Sequence, residues 1–94
     1  DIMRIDKWLK VSRLIKRRET AKELCDDGDV LVNGKQAKPM TEVKAGDRLI
    51  LQMGKHKITL LVSSVLPYAR KDEAKGMYEI IEDEIVERPI ADPS

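Results

Sequence analysis

Between Met3 and Gly34 the chain packs eight lysines and arginines into two short segments of helical apolar spacing, which run directly into Asp29-Val30-Leu31-Val32-Asn33-Gly34. No other feature limits the fold as tightly. Ile5, Trp8 and Leu9 stand at i, i+3 and i+4, so one face of a first helix is apolar while Lys7 and Lys10 point away from it. Asp6 reads as its N-cap. Ala21, Leu24 and Cys25 repeat the spacing in a second helix, reached through Arg13 to Arg18 and stopped by Gly28. Val30 to Val32 then reads as a strand, and Asn33-Gly34 accepts the positive φ values of a two-residue hairpin turn.

The remainder extends that hairpin into a sheet. A short partner strand around Gln36 to Lys38 ends at Pro39, and Val43-Lys44-Ala45-Gly46-Asp47 reads as a turn into a strand from Arg48 to Met53. A return strand from Lys57 to Val65 follows Gly54-Lys55, giving about four antiparallel strands. Beyond Pro67, Ala74, Met77, Tyr78 and Ile81 stand at i, i+3, i+4 and i+7 and predict a C-terminal helix, weakened by about 1 kcal/mol at Gly76. Pro89 to Ser94 is expected to be disordered. The expected fold class is α+β, with two N-terminal helices packed on a small antiparallel sheet. Residues 4–66 form the domain, with its core motif in 4–53, and 67–94 form a C-terminal helix and acidic tail.

Composition removes several function classes. Aromatic residues make up 3% of the chain and Phe is absent, so base stacking is not expected to drive binding. The single cysteine, Cys25, excludes an internal disulfide and a cysteine-based zinc site, and its place on an apolar helix face makes it a core residue. No apolar run is long enough to cross a membrane, and Met3 reads as a natural start preceded by Asp1 and Ile2, so the expected location is the cytoplasm. His56 has no second histidine or cysteine as partner and reads as a surface residue; no metal, cofactor or catalytic residue is expected.

Net charge is only +1, but the average conceals an asymmetry. Residues 1–22 carry eight basic and three acidic groups, whereas residues 69–94 carry four basic and eight acidic ones. One end should attract phosphate and the other repel it. Arg4, Lys7, Lys10, Arg13, Lys16, Arg17, Arg18 and Lys22 are the candidate RNA-binding residues, able to share one surface if both helices lie on the same side of the sheet, and Lys35 could extend that surface. Such a surface reads backbone shape and ribose hydroxyls, because A-form RNA hides its base edges in a deep groove. Structural readings compete at some of these positions: Arg4 could serve a salt bridge to Asp6 or Glu19, Asn33-Gly34 is first of all a turn, and Trp8 reads as core beside Ile5 and Leu9. Two functional alternatives also stand, a helix-turn-helix for DNA and an RNA-binding piece of a modifying enzyme.

Taken in order, Arg4-Ile5-Asp6-Lys7-Trp8-Leu9, Arg18-Glu19-Thr20-Ala21, Gly28-Asp29-Val30-Leu31-Val32-Asn33-Gly34-Lys35 and Val43-Lys44-Ala45-Gly46-Asp47 resemble the RNA-binding domain of small-subunit ribosomal protein four, the alpha-L motif. The run from Met3 to Arg18, with Glu73-Ala74 and Met77-Tyr78 near the end, is similar to a stand-alone bacterial family, RqcP or YabO, more than to the heat-shock protein of the fifteen-kilodalton class, whose C-terminal extension is basic. The resemblance implies a noncatalytic factor of ribosome-associated quality control. It implies binding to the obstructed large subunit between ribosomal RNA and peptidyl-tRNA, in support of an RqcH-type factor that adds alanine tails to stalled chains. It matches Arg4 and Arg18 to the family's two RNA-contacting arginines, and the chain is expected to be a monomer without membrane attachment.

Overall fold

The structure, a computed structural model, describes residues 2–86. Strand β1 (Ile2–Arg4) leads into helix α1 (Ile5–Val11), followed by α2 (Arg18–Asp26), β2 (Val30–Val32), β3 (Lys35–Gln36), β4 (Glu42–Lys44), β5 (Arg48–Met53) and β6 (His56–Val62). A short helix α3 (Lys71–Ala74) and a 3-10 turn (Lys75–Met77) precede β7 (Tyr78–Ile85).

The first helix forms as its spacing predicts. Ile5, Trp8 and Leu9 are wholly buried, and the orphan amides of the first turn are met by the chain rather than by a capping side chain: Ile5 N donates to Thr41 O at 2.7 Å and Asp6 N to Pro39 O at 3.4 Å. Asp6 therefore is not the N-cap; Arg4 occupies that position, in extended conformation. The helix ends at Ser12, and Arg13 turns away with a φ of 65°, an unusual left-handed residue for a side chain other than Gly, Asn or Asp.

Helix α2 closes in a Schellman motif. Gly28 N donates to Cys25 O at 3.1 Å and Asp29 N to Leu24 O at 2.9 Å, with Gly28 at φ 81°. A side chain there would be strained by that φ, and its Cβ would also push aside the flexible end of the Gln36 side chain, whose amide nitrogen would lie 2.8 Å away. The next turn places Asn33 and Gly34 at φ 52° and 86° and pairs Val32 with Lys35, as the two-residue hairpin requires. Asn33 does more than turn: its Nδ2 donates to Asp47 Oδ1 at 3.1 Å and its Oδ1 accepts from Arg48 N at 2.9 Å, while Asp47 Oδ2 accepts from Lys44 N at 2.9 Å. The Asn-Gly and Ala-Gly-Asp turns thus lock each other.

Sheet order is β3-β2-β5-β6-β7, antiparallel throughout, and β1 pairs separately with β4. One sheet face supplies Val30, Leu49, Leu51, Leu60 and Val62 to the core beneath α1 and α2. Trp8 seals it, its indole N–H donating to Ser64 O at 2.9 Å and its ring meeting Tyr78 edge to face at 6.5 Å.

The two N-terminal helices on an antiparallel sheet match the expected α+β class, but the C-terminal helix does not. Helical structure stops at Met77, and Tyr78–Ile85 is a fifth strand of the sheet rather than a helix. Two physical reasons favour the strand. A helix would set Glu79 and Asp83 at i, i+4, a weakly repulsive pair that the strand avoids. Pairing with β6 also supplies a ladder from His56–Ile85 to Val62–Tyr78, with a register shift between Thr59 and Leu60 that leaves Ile81 unpaired as a bulge. The expected disorder of Pro89 to Ser94 lies outside the described residues.

Candidate nucleic-acid interface

Asp6 organises the basic end of the molecule. Its carboxylate is wholly buried, yet it touches two arginines from different elements, the end of β1 and the start of α2: Arg4 Nη2 lies 3.2 Å from Oδ2, and Arg18 Nε lies 3.3 Å from the same oxygen. Arg18 Nη2 adds a donor to Oδ1 at 3.5 Å, and the Lys7 amide donates to Oδ1 at 2.7 Å. The arginine side chains remain 48% and 41% exposed, so both are held on the carboxylate while staying partly in water. The ion pair at Arg4 weighed in the sequence is present, and Arg18 joins it from twelve positions along the chain. A short, buried anchor of this kind fixes two long cationic side chains side by side at the helix junction.

From that junction the cations continue at three-residue spacing: Arg4, Lys7, Lys10, Arg13 and Lys16. Three open cavities follow the stripe. The first, about 470 Å³, is lined by Arg4 and Lys7 with Glu42, Val65 and Pro67 among its other walls. The second, about 130 Å³, lies between Lys10 and Arg13 on one side and Tyr68 and Ala69 on the other. The third, about 280 Å³, brings Lys10, Arg13 and Lys16 to Lys71. Arg17 is the N-cap of α2, and Lys22 stands one turn beyond Arg18 on the same helix face. Lys35, by contrast, sits exposed on β3 of the sheet hairpin, on a different element from the other eight.

The connector between β6 and α3 forms a wall of the first two cavities, with Val65 and Pro67 in the first and Tyr68 and Ala69 in the second, where the sequence suggests only a strand running to Val65 and a break at Pro67. Val65, Leu66 and Ala69 pack inward against the core, and Arg13 Nη2 donates to Ala69 O at 3.5 Å. The left-handed turn at Arg13 thus ties the basic stripe to this wall. A Pro-containing loop with apolar residues on both sides of a tyrosine was the available signal.

Residues outside the stripe serve the scaffold. Cys25 is buried under the junction, and its thiol is pushed up to about 11, first by burial and then by the nearby charges of Asp6 and Asp26, so it stays protonated and inert near neutral pH. His56 is exposed against Asp83, and among the described residues no group of His, Cys, Asp or Glu is arranged to hold a metal. Among the same residues no helix is long and apolar enough to cross a membrane.

An S4 domain model matches residues 3–49, the segment that contains α1, α2, the Asn-Gly hairpin and the Asp47 turn. The chain is 46% identical over 86 residues to the RQC P-site tRNA stabilizing factor of Halalkalibacterium halodurans, covering 92% of this chain and 98% of that protein. It is 48% identical over 82 residues to the factor of the same name from Bacillus subtilis, covering 87% and 95%. A solved structure of Heat Shock Protein 15 from Vibrio cholerae superposes with a TM-score of 0.79 at 31% identity, over 85% of this chain and 82% of that one. The chain belongs to the family of RQC P-site tRNA stabilizing factors, proteins built on an S4 domain.

Proposed function

We propose that this protein is a noncatalytic RNA-binding factor of ribosome-associated quality control, which sits on the obstructed large ribosomal subunit between ribosomal RNA and the P-site peptidyl-tRNA. Family membership supports the pathway, and the single observation that carries the mechanism is the pair of half-exposed guanidiniums held on buried Asp6. A planar guanidinium with a free edge can take two phosphate oxygens and stays ionised in doing so. Two of them fixed at one helix junction, with Lys7, Lys10, Arg13 and Lys16 leading away and Arg17 and Lys22 beside them, suit two phosphate backbones lying close together. Lys35 would add a more distant contact from the hairpin.

Holding a tRNA in this way needs no chemistry. If the protein binds the tRNA-bearing subunit more tightly than the empty one by some factor, linkage requires that its presence tighten the tRNA by the same factor. Prolonged residence of the tRNA in the P site would give an RqcH-type factor on the same subunit time to add alanines to the nascent chain.

Co-sedimentation with large subunits that carry or lack peptidyl-tRNA tests the reading. The wild type should prefer tRNA-bearing subunits, and an Arg4→Ala, Arg18→Ala variant should lose the preference. Equal binding of the wild type to both kinds of subunit would leave a general ribosome-binding factor, and absence of binding to either would remove the ribosome from the account.

A further inference from the structure

Of the three aromatic residues in this chain, two are spent on the interior: Trp8 is wholly buried and Tyr78 packs edge to face against it. The third, Tyr68, is 83% exposed. Its neighbours explain how it comes to be so and also where it points the chain. Val65, Leu66 and Ala69 turn inward onto the core, Pro67 fixes the backbone immediately before it, and the Ala69 carbonyl immediately after it accepts from Arg13. The ring is therefore displayed from a short loop pinned on both sides. It lines a cavity of about 130 Å³ whose opposite side is Lys10 and Arg13, in the middle of the cationic stripe.

We infer that Tyr68 is a stacking site for a single unpaired nucleobase, with Lys10 and Arg13 taking the phosphates that flank it. The inference deepens the RNA-binding reading above and rests on it. An aromatic ring flanked by cations binds bases through their faces, a contact open to every base and unavailable to a base inside a duplex. Because the chain on both sides of Tyr68 is already held, the loop needs little ordering on binding. The site would thus add to the phosphate surface a preference for RNA with a bulged or looped-out nucleotide, although aromatic residues are too few here for stacking to dominate affinity.

The test compares two RNAs, a perfect duplex and the same duplex carrying one bulged 2-aminopurine, titrated with the full chain. The wild type should bind the bulged RNA at least about fivefold more tightly than the perfect duplex and quench the 2-aminopurine fluorescence, the lower end of what one base–aromatic stack contributes. Tyr68→Ala should bring that ratio close to one and abolish the quenching, and Tyr68→Phe should keep both. The difference in salt dependence between wild type and Tyr68→Ala should be negligible, because no phosphate contact is lost. Thermal melts of the variants guard against misfolding, which an exposed position should not cause. A bulge preference and quenching that survive in Tyr68→Ala would overturn the stacking site while leaving RNA binding in place. Failure of the wild type to bind either RNA would overturn the RNA-binding reading and the stacking site with it.

Discussion

At the junction of α1 and α2, two arginines lean on a carboxylate shut off from solvent; along β7, Glu79, Glu82 and Asp83 lie in the open, and the contacts at that strand are His56 to Asp83 at 3.4 Å and Lys57 to Glu84 at 3.9 Å, between side chains about half exposed. Both regions are charged, but only one is positioned. A pair shared between exposed side chains contributes little and leaves its members free to move, whereas a buried anchor dictates where its partners stand. The difference separates two uses of charge. On the RNA-binding reading proposed above, the arginines would meet particular phosphates, while the acidic strand would set a field unfavourable to RNA around itself.

The comparison breaks most visibly at the anchor. Arg4→Ala together with Arg18→Ala should weaken RNA binding by about 100-fold, taking the low end for two charge-assisted contacts because both side chains are half in water. The same variant strands Asp6 as an unpaired buried carboxylate and should cost about 2 kcal/mol of stability, discounted from a fully buried pair for the exposure of its partners. Adding Asp6→Asn should restore most of that stability without restoring RNA binding. Urea melts and filter binding on the double variant, the triple variant and the wild type separate the two losses; RNA affinity recovered when Asp6→Asn is added to the double variant would show that the arginines act only as structural partners.

Single changes along the stripe should be milder and of one kind. Lys7→Ala, Lys10→Ala and Lys16→Ala are each expected to lower affinity several-fold and to reduce the slope of log affinity against log salt by roughly one. A matching change at Lys35, on its separate hairpin, should do less, and an equal effect would enlarge the surface to include β3. Charge reversal on the other side, Glu79→Lys with Glu82→Lys, should raise binding to unrelated RNA about two- to threefold at low salt and lose that effect once the Debye length shrinks to a few ångströms. Persistence of the gain at high salt would mean that β7 touches RNA directly rather than acting through its field.

Much of the positioned region could be read from the chain, and most of the unpositioned one could not. Ile5, Trp8 and Leu9, the stop at Gly28 and the turn at Asn33-Gly34 follow from neighbours within four residues, and the structure realises each of them. Strand β7 depends on β6, some twenty residues earlier, and its bulge at Ile81 breaks the alternation that would have revealed it, so that Met77, Tyr78 and Ile81 imitate a helix face. Asp6 failed for a related reason. An aspartate ahead of an apolar run looks like a cap, and nothing local shows that its second partner, Arg18, arrives from another helix. The pairing of β1 with β4 and the wall formed by the β6–α3 connector are likewise products of tertiary closure.

The smallest expected effect reads the anchor from beneath. Burial is the main cause that holds the Cys25 thiol up at about 11, and the Asp6 charge is the next. A folded thiol held above its unfolded value binds its proton more tightly in the native state, so its contribution to stability is complete below the unfolded pKa and declines as pH rises toward about 11. Replacing Asp6 with Asn removes one of the charges that oppose the thiolate, and the thiol should titrate lower while remaining well above the ordinary range because burial persists. Alkylation rates of folded protein between pH 8 and 10, corrected for global unfolding by the measured stability, are the readout: Asp6→Asn should react modestly faster than wild type, whereas Glu79→Lys, on the acidic strand, should not alter the rate. An identical response to both changes would mean that Cys25 senses net charge rather than the carboxylate above it, and the distinction between a positioned and an unpositioned charge would fail at the one place where a core group can report it.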